Sequence, residues 1–307
     1  MSKIAYLFPG QGAQYCGMGQ DFYEKTETGK KVFDRATELL GFSVPELCFE
    51  KNDRLDMTEY TQAAMVTTSI AMMKVLEEYG ICPDGAAGLS LGEYCAMVAA
   101  GVMSEEDAIT TVRQRGILMQ EAVPVGIGAM AAVLALSADK IEEVLAPMKD
   151  VQIANYNCPG QIVISGRKEA VKEAGEALVA AGAKRVIMLN VSGPFHSEML
   201  RRAGEKLAEV LEPVEIKEPV IPYVSNVTAS YVTSAKDVKS LLARQVSSSV
   251  RWQQSMERMI QDGFDVFIEI GPGKTLTGFM KKIKRDAKVF HIEKLEDIET
   301  VKAALGQ

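Results

Sequence analysis

The chain opens on a short apolar run of β type, Ile4-Ala5-Tyr6-Leu7-Phe8, which stops at the turn Pro9-Gly10-Gln11-Gly12. Helical periodicity follows through the thirties and over residues 61–79. The clearest helix is predicted over 105–122. Ser104 stands there as the N-cap and Glu105, Glu106 and Asp107 fill the first turn, where free N–H groups and the positive end of the helix dipole favour oxygen acceptors and negative charge.

The pattern then changes. Residues 129–136 read as a strand, 138–148 as a helix and 151–156 as a strand. Asn157-Cys158-Pro159-Gly160 reads as a turn, and the chain returns as a strand over 161–165. A helix over 168–181 ends at Gly182, and a strand follows over 185–191. That order, βαββαβ, is the ferredoxin-like unit. Beyond it the α/β alternation resumes, with strands near 221–225, 265–270 and 288–292, helices up to 261 and from Lys274, and a closing helix. The expected fold is α/β: a large α/β-hydrolase-like domain (residues 1–125 and 194–307) interrupted by an inserted ferredoxin-like domain (residues 126–193).

Composition narrows the classes. Of 307 residues 47% are apolar and 24% charged, which is globular and excludes a disordered or collagen-like chain. A net charge of −7 argues against general nucleic-acid binding. Five widely spaced cysteines without C-x-x-C form neither a disulfide framework nor a zinc site and suit a reducing cytoplasm. The apolar start is too short for a signal peptide, and the uncharged run 122–138 is broken by Pro124, Gly126 and Gly128. A soluble cytoplasmic protein with no membrane segment is expected.

Three positions carry candidate chemistry. Gly88-Leu89-Ser90-Leu91-Gly92 matches G-x-S-x-G, in which glycines flank a serine on a tight strand-to-helix turn; a Gly-rich packing turn has the same spelling. The strand that should precede it, 84–87, is weak. A nucleophilic serine needs a base, and only His196 and His291 are available. His291 lies in an alternating strand. His196 follows the irregular Ser192-Gly193-Pro194-Phe195 where the insert rejoins the large domain, a place pockets favour, although a packing or surface histidine fits as well. No acid stands out as a third member, which leaves a backbone or amide carbonyl to orient the imidazole. Arg115 falls on the apolar stripe of Ala108, Val112 and Met119, so its charge needs a partner: an internal acid, a snorkelling path to solvent, or a substrate carboxylate. Glycine patterns at Gly10-Gln11-Gly12, Gly126-Ile127-Gly128 and Gly273-Lys274-Thr275 each miss a requirement of nucleotide-binding loops.

Taken with Leu7 to Gln14, Gly88 to Glu93, Arg115 before Met119-Gln120-Glu121-Ala122, Asn157 to Gln161, Gly193-Pro194-Phe195-His196-Ser197, Arg244-Gln245 and Glu269 to Lys274, the chain resembles the malonyl-CoA:acyl-carrier-protein transacylase family, the acyltransferases of type II fatty-acid synthesis. The resemblance runs nearly end to end. It implies transfer of malonyl from malonyl-CoA to the phosphopantetheine thiol of acyl carrier protein, with Ser90 as the acylated nucleophile and His196 as its base. It further implies the N–H groups of Gln11 and Leu91 as oxyanion hole, Arg115 on the malonyl carboxylate, the Gln245 carbonyl behind the imidazole, and Phe195 and Asn157 at the substrate. No metal and no cofactor beyond the CoA thioester are expected, and a monomer is. The family usually carries histidine where this chain has Leu89; that residue is not the base, so the difference bears on the polarity of the acyl pocket. A serine hydrolase, a trans-acting polyketide acyltransferase and a non-catalytic carrier-docking module are the alternatives. Finally, Lys281, Lys284, Arg285 and Lys288 would form one exposed stripe if the helix from Lys274 ran that far, with Leu276, Phe279, Met280 and Ile283 facing inward.

Overall fold

The computed structural model describes residues 2–191 and 193–306; Ser192, in the expected junction, lies outside them. The described residues form two sheets. Five parallel strands, β1 (Ile4–Phe8), β2 (Gly85–Gly88), β7 (Tyr223–Val224), β8 (Val266–Ile270) and β9 (Lys288–Ile292), lie in the order β7-β2-β1-β8-β9. Because the chain steps from β1 to β2 and β7 on one side and to β8 and β9 on the other, β1 sits where the winding direction reverses. Loops beyond the carboxyl ends of such strands are where open α/β sheets place ligands. Phe8 of β1 is in register with Gly88 of β2, so the turns after both strands leave the sheet side by side.

Strand β2, Gly-Ala-Ala-Gly, is not the weak 84–87 segment that propensity suggests but an inner strand buried throughout. Its composition answers to packing: a Cβ on Gly85 would lie 2.5 Å from the Phe264 ring, and one on Gly88 1.9 Å from the Gly92 carbonyl carbon. The strand is made of small residues because larger ones would not fit.

The second sheet, β3 (Gly128–Leu134), β4 (Val151–Cys158), β5 (Gln161–Arg167) and β6 (Arg185–Met188), is antiparallel in the order β4-β5-β3-β6, with helices Ala138–Leu145 and Lys168–Ala180 following β3 and β5. Asn157 and Cys158 belong to β4 rather than to a turn; the hairpin closes over Pro159-Gly160 alone, with Gly160 at φ 73°. The fourth strand ends at Met188, short of 191, and the strand expected over 221–225 is two residues long. The expected basic stripe does not form. The helix Thr275–Ile283 stops before Lys284, whose backbone is extended, and Lys288 lies on β9; Leu276, Phe279 and Met280 are buried as expected.

Candidate active site

Ser90 follows β2 at the start of helix Gly92–Ala99 and holds φ 52°, the left-handed region a side chain rarely adopts. Close packing imposes it: a Cβ on Gly92 would stand 2.1 Å from the Phe8 carbonyl oxygen, so the elbow presses directly on β1. Asn226, just past β7, grips both ends of the turn. Its Oδ1 accepts from the Ser90 N–H at 2.6 Å and its Nδ2 donates to the Gly88 carbonyl at 2.6 Å.

Ser90 Oγ lies 2.7 Å from His196 Nε2, and His196 Nδ1 lies 2.8 Å from the backbone oxygen of Gln245. A carbonyl can only accept, so Nδ1 carries the proton and Nε2 is left free to accept from the serine. His196 is also at positive φ, 58°, and its N–H donates to the Val246 carbonyl at 3.2 Å, so two hydrogen bonds tie this segment to the end of helix Ala235–Gln245. Burial, and after it the charge of Arg115, push the imidazole down to about 4, against the opposing bond to Gln245. The ring is therefore neutral at ordinary pH, the form that accepts a proton.

Ser104 caps helix Glu105–Glu121 by accepting from the Asp107 N–H, and the helix carries Arg115 inward at 1% exposure beside buried Ala108, Val112 and Met119. Arg115 is shut from solvent and meets no acid in an ion pair among the described residues. Its Nη1 donates to Gln62 Oε1 at 2.8 Å, and its Nη2 to Gln245 Oε1 at 3.0 Å and to Ser90 Oγ at 3.2 Å. Neither Arg115 nor Glu93 takes part in an ion pair among the described residues. Burial lowers the guanidinium's affinity for its proton, opposed by Tyr94 and Glu93. A charged fork held only by neutral acceptors beside a serine hydroxyl is free to take an anion.

The other anticipated residues fall at different distances from this centre. Leu91 begins the helix after the elbow, and Gln11 lies in the turn after β1; neither backbone N–H is taken by a backbone carbonyl among the described residues. The Gln11 side chain joins the cluster at longer range, its Oε1 accepting from Gln62 Nε2 at 3.5 Å. Phe195, next to His196, is packed into the main core. Asn157 is buried on β4 with no hydrogen-bond partner on its Oδ1 among the described residues. Leu89 packs against the second core cluster, and a Cβ on Gly10 would meet its Cδ2 at 2.8 Å.

Sequence reasoning gave no role to Glu93, Asn226 or Gln62. Glu93 is 1% exposed, and its Oε2 accepts from Gln245 Nε2 at 2.6 Å and from the Asn226 N–H at 3.1 Å. Burial raises its carboxyl to about 7 in spite of those bonds and the charge of Arg115. The one available signal was a single acid in the otherwise uncharged helix Gly92–Ala99. Asn226 and Gln62 had none.

A serine on a strained strand-to-helix turn, bonded to a neutral histidine that a carbonyl orients, is equipped to form an acyl-enzyme, and the adjacent guanidinium suits an acyl group bearing a carboxylate. The class these features define is an α/β acyl-transfer protein. The chain belongs to the acyl transferase domain family, whose model matches residues 5–300. It is 48% identical over 304 residues to the malonyl CoA-acyl carrier protein transacylase of Bacillus subtilis, covering 97% of this chain and 96% of that protein. The crystal structure of the transacylase of that name from Clostridium perfringens superposes with a TM-score of 0.96 at 42% identity, over 99% of this chain and 98% of that one. A malonyl-transacylase solved in complex with its holo type II polyketide-synthase acyl-carrier protein superposes with a TM-score of 0.95 at 38% identity, over the full length of both chains.

Proposed function

We propose that this chain transfers malonyl from malonyl-CoA to the phosphopantetheine thiol of acyl carrier protein by way of a malonyl ester on Ser90, supplying fatty-acid synthesis. The observation that carries the proposal is the convergence on one Oγ of His196 Nε2 at 2.7 Å and Arg115 Nη2 at 3.2 Å. Relatives named for this reaction, matched along nearly their whole length, support it.

His196 takes the Ser90 proton as Oγ attacks the thioester carbonyl, and the Gln11 and Leu91 N–H groups receive the developing oxyanion. The C–S bond breaks and the CoA sulfur leaves with the proton from His196. The carrier thiol then gives its proton to His196 and attacks the malonyl ester; the C–O bond breaks, His196 returns that proton to Ser90 Oγ, and the ping-pong cycle closes. Gln245 keeps the imidazole in register through its backbone oxygen. Arg115 holds the malonyl carboxylate, Phe195 and Asn157 line the acyl site, and no cofactor is required. A simple esterase would have no use for a buried guanidinium beside its serine.

The strand order of the antiparallel sheet supports a ferredoxin-like insert, residues 126–193, in a hydrolase-like domain of residues 1–125 and 194–307. No helix among the described residues is long and apolar enough to cross a membrane, and none of their His, Cys, Asp and Glu side chains group as a metal site. A cytoplasmic monomer fits the proposed reaction. Intact mass after incubation with malonyl-CoA tests the proposal. A malonyl adduct is expected on the wild type, discharged by holo carrier protein and missing in Ser90→Ala; an adduct that persists on Ser90→Ala overturns it.

A further inference from the structure

We propose that Glu93 is the positioning residue of this site: its carboxylate sets which way the Gln245 side-chain amide faces and, through it, the alignment of Arg115, His196 and Ser90. The proposal rests on the function assigned above.

The Gln245 amide lies between two groups with opposite demands. Its Nε2 donates to Glu93 Oε2 at 2.6 Å and to the Ser90 carbonyl at 3.0 Å, and its Oε1 accepts from Arg115 Nη2 at 3.0 Å. Both contacts on Glu93 Oε2 come from N–H donors, so that oxygen accepts whether or not the other carries a proton, and a guanidinium can only donate. Reversing the amide would set NH₂ against the guanidinium and oxygen against both the carboxylate and the Ser90 carbonyl, so a single orientation satisfies every contact. The backbone oxygen of this same residue holds His196 Nδ1.

A second limb leaves the same carboxylate oxygen. Oε2 accepts from the Asn226 N–H, and the Asn226 side chain clamps the Ser90 N–H and the Gly88 carbonyl around a serine held at positive φ. Both chains of hydrogen bonds that fix the reacting groups therefore end on one oxygen. Glu93 itself is behind Gln245, buried and without an ion pair, an arrangement that burdens stability rather than adding to it. It acts through its neighbours and touches no substrate.

The test separates reach from charge. Ser90 acylation by malonyl-CoA and by acetyl-CoA is followed by intact mass in the wild type, Ser90→Ala, Glu93→Gln, Glu93→Asp and Glu93→Ala, with circular dichroism reporting the fold. Glu93→Gln keeps an acceptor oxygen at the same reach and is expected to stay within about tenfold of wild type. Glu93→Asp keeps the charge but withdraws it by one methylene. It should fall roughly 10²-fold, as Glu93→Ala does, because small misplacements of reacting groups have effects of that order. The malonyl-over-acetyl preference should drop about tenfold in both, as Arg115 loses its fixed partner, a readout that lost stability alone would not move.

Glu93→Asp as active as Glu93→Gln, or a preference unchanged in every folded variant, overturns the proposal. If Asp and Ala do not fold, Glu93→Gln still decides. Its amide can donate as well as accept, so only Arg115 and the Ser90 carbonyl still oppose the reversed Gln245, and the preference should fall about threefold; an unchanged preference overturns the proposal. A wild type without an adduct, or Ser90→Ala with one, removes the function assigned above and this proposal with it.

Discussion

The two sheets bury apolar residues by different means and bear on different halves of the site. In the parallel sheet β2 and β8 are buried throughout, and the sheet presses the Ser90 turn against β1, so the serine's position follows from backbone packing that side chains cannot relax. The antiparallel sheet is apolar on both faces by alternation. Ala129, Ala131 and Val133 of β3 pack with its own helices, whereas Met130 and Ala132 join the large core that also holds Phe195. Its hold on the site is one close contact, Pro194 over Gly128, where a Cβ would stand 2.3 Å from the ring, together with separate hydrogen bonds. Gln152 Nε2 donates to the His196 carbonyl at 3.2 Å while its Oε1 accepts from the Glu198 N–H at 2.9 Å, and Ala154 and Tyr156 pair with Val250, just beyond Gln245. The serine half is rigid and the histidine half is tethered. Substitutions on the first side should be close to all-or-none and those on the second graded.

The largest effect that tests this contrast lies where the halves meet. His196→Ala removes the proposed base and should slow acylation roughly 10²–10⁴-fold in single-turnover mass measurements, with Ser90 still the residue acylated. Transfer at the wild-type rate would detach the histidine half from the chemistry.

Arg115→Ala should lower malonyl acylation by roughly 10²–10³-fold, the scale of truncating one side of a buried charged pair, and narrow or reverse the preference over acetyl-CoA. Arg115→Lys should rescue poorly because an ammonium cannot supply the planar fork. Equal slowing of both thioesters would make Arg115 a structural residue.

The pH dependence sharpens the same point. The His196 imidazole is depressed to about 4, so the base is present above that pH and is lost as pH falls through it. Arg115 is the second cause of the depression, and a malonyl carboxylate bound there, as proposed, would offset its charge. The acid limb of kcat should then lie above that of kcat/KM with malonyl-CoA, and the two should coincide more closely with acetyl-CoA. Coincident limbs with malonyl-CoA would separate the Arg115 charge from the histidine.

Smaller effects belong to the tether and the surface. Gln152→Ala removes two hydrogen bonds from the His196 segment and should cut acylation by at most about 30-fold, the equivalent of two ordinary bonds at roughly 1 kcal/mol each, while the fold is retained. A loss as large as that of His196→Ala would show the tether to be as rigid as the elbow. With a carrier protein of net negative charge, reversing Lys284 and Arg285 to Glu should raise its KM no more than about threefold, an effect that fades with added salt, since these charges are not ordered along one helix face. Slowed acylation by malonyl-CoA would mean instead that they meet the CoA phosphates.

What the sequence determined by itself was local. The order of elements, the Ser104 cap, the alternating strands of the second sheet and the inward face carrying Arg115 follow from periodicities of two and 3.6 and from capping chemistry, which act over a few residues. The spacing around Ser90 was legible for the same reason, because a tight turn imposes its glycines on immediate neighbours. Tertiary structure decided what depends on residues distant in the chain. Strand β2 exists because Phe264 and the Gly92–Ala99 helix leave no room for side chains, which local propensity misreads as weakness. The helix after Lys274 ends at Ile283 although its charges kept helical spacing, since Lys288 is taken up in register beside Val266. Glu93, Asn226 and Gln62 gain meaning only when strands far apart in sequence bring them around Ser90 and Arg115: a buried hydrogen bond is specified by where both partners end up, and no one-dimensional pattern carries that.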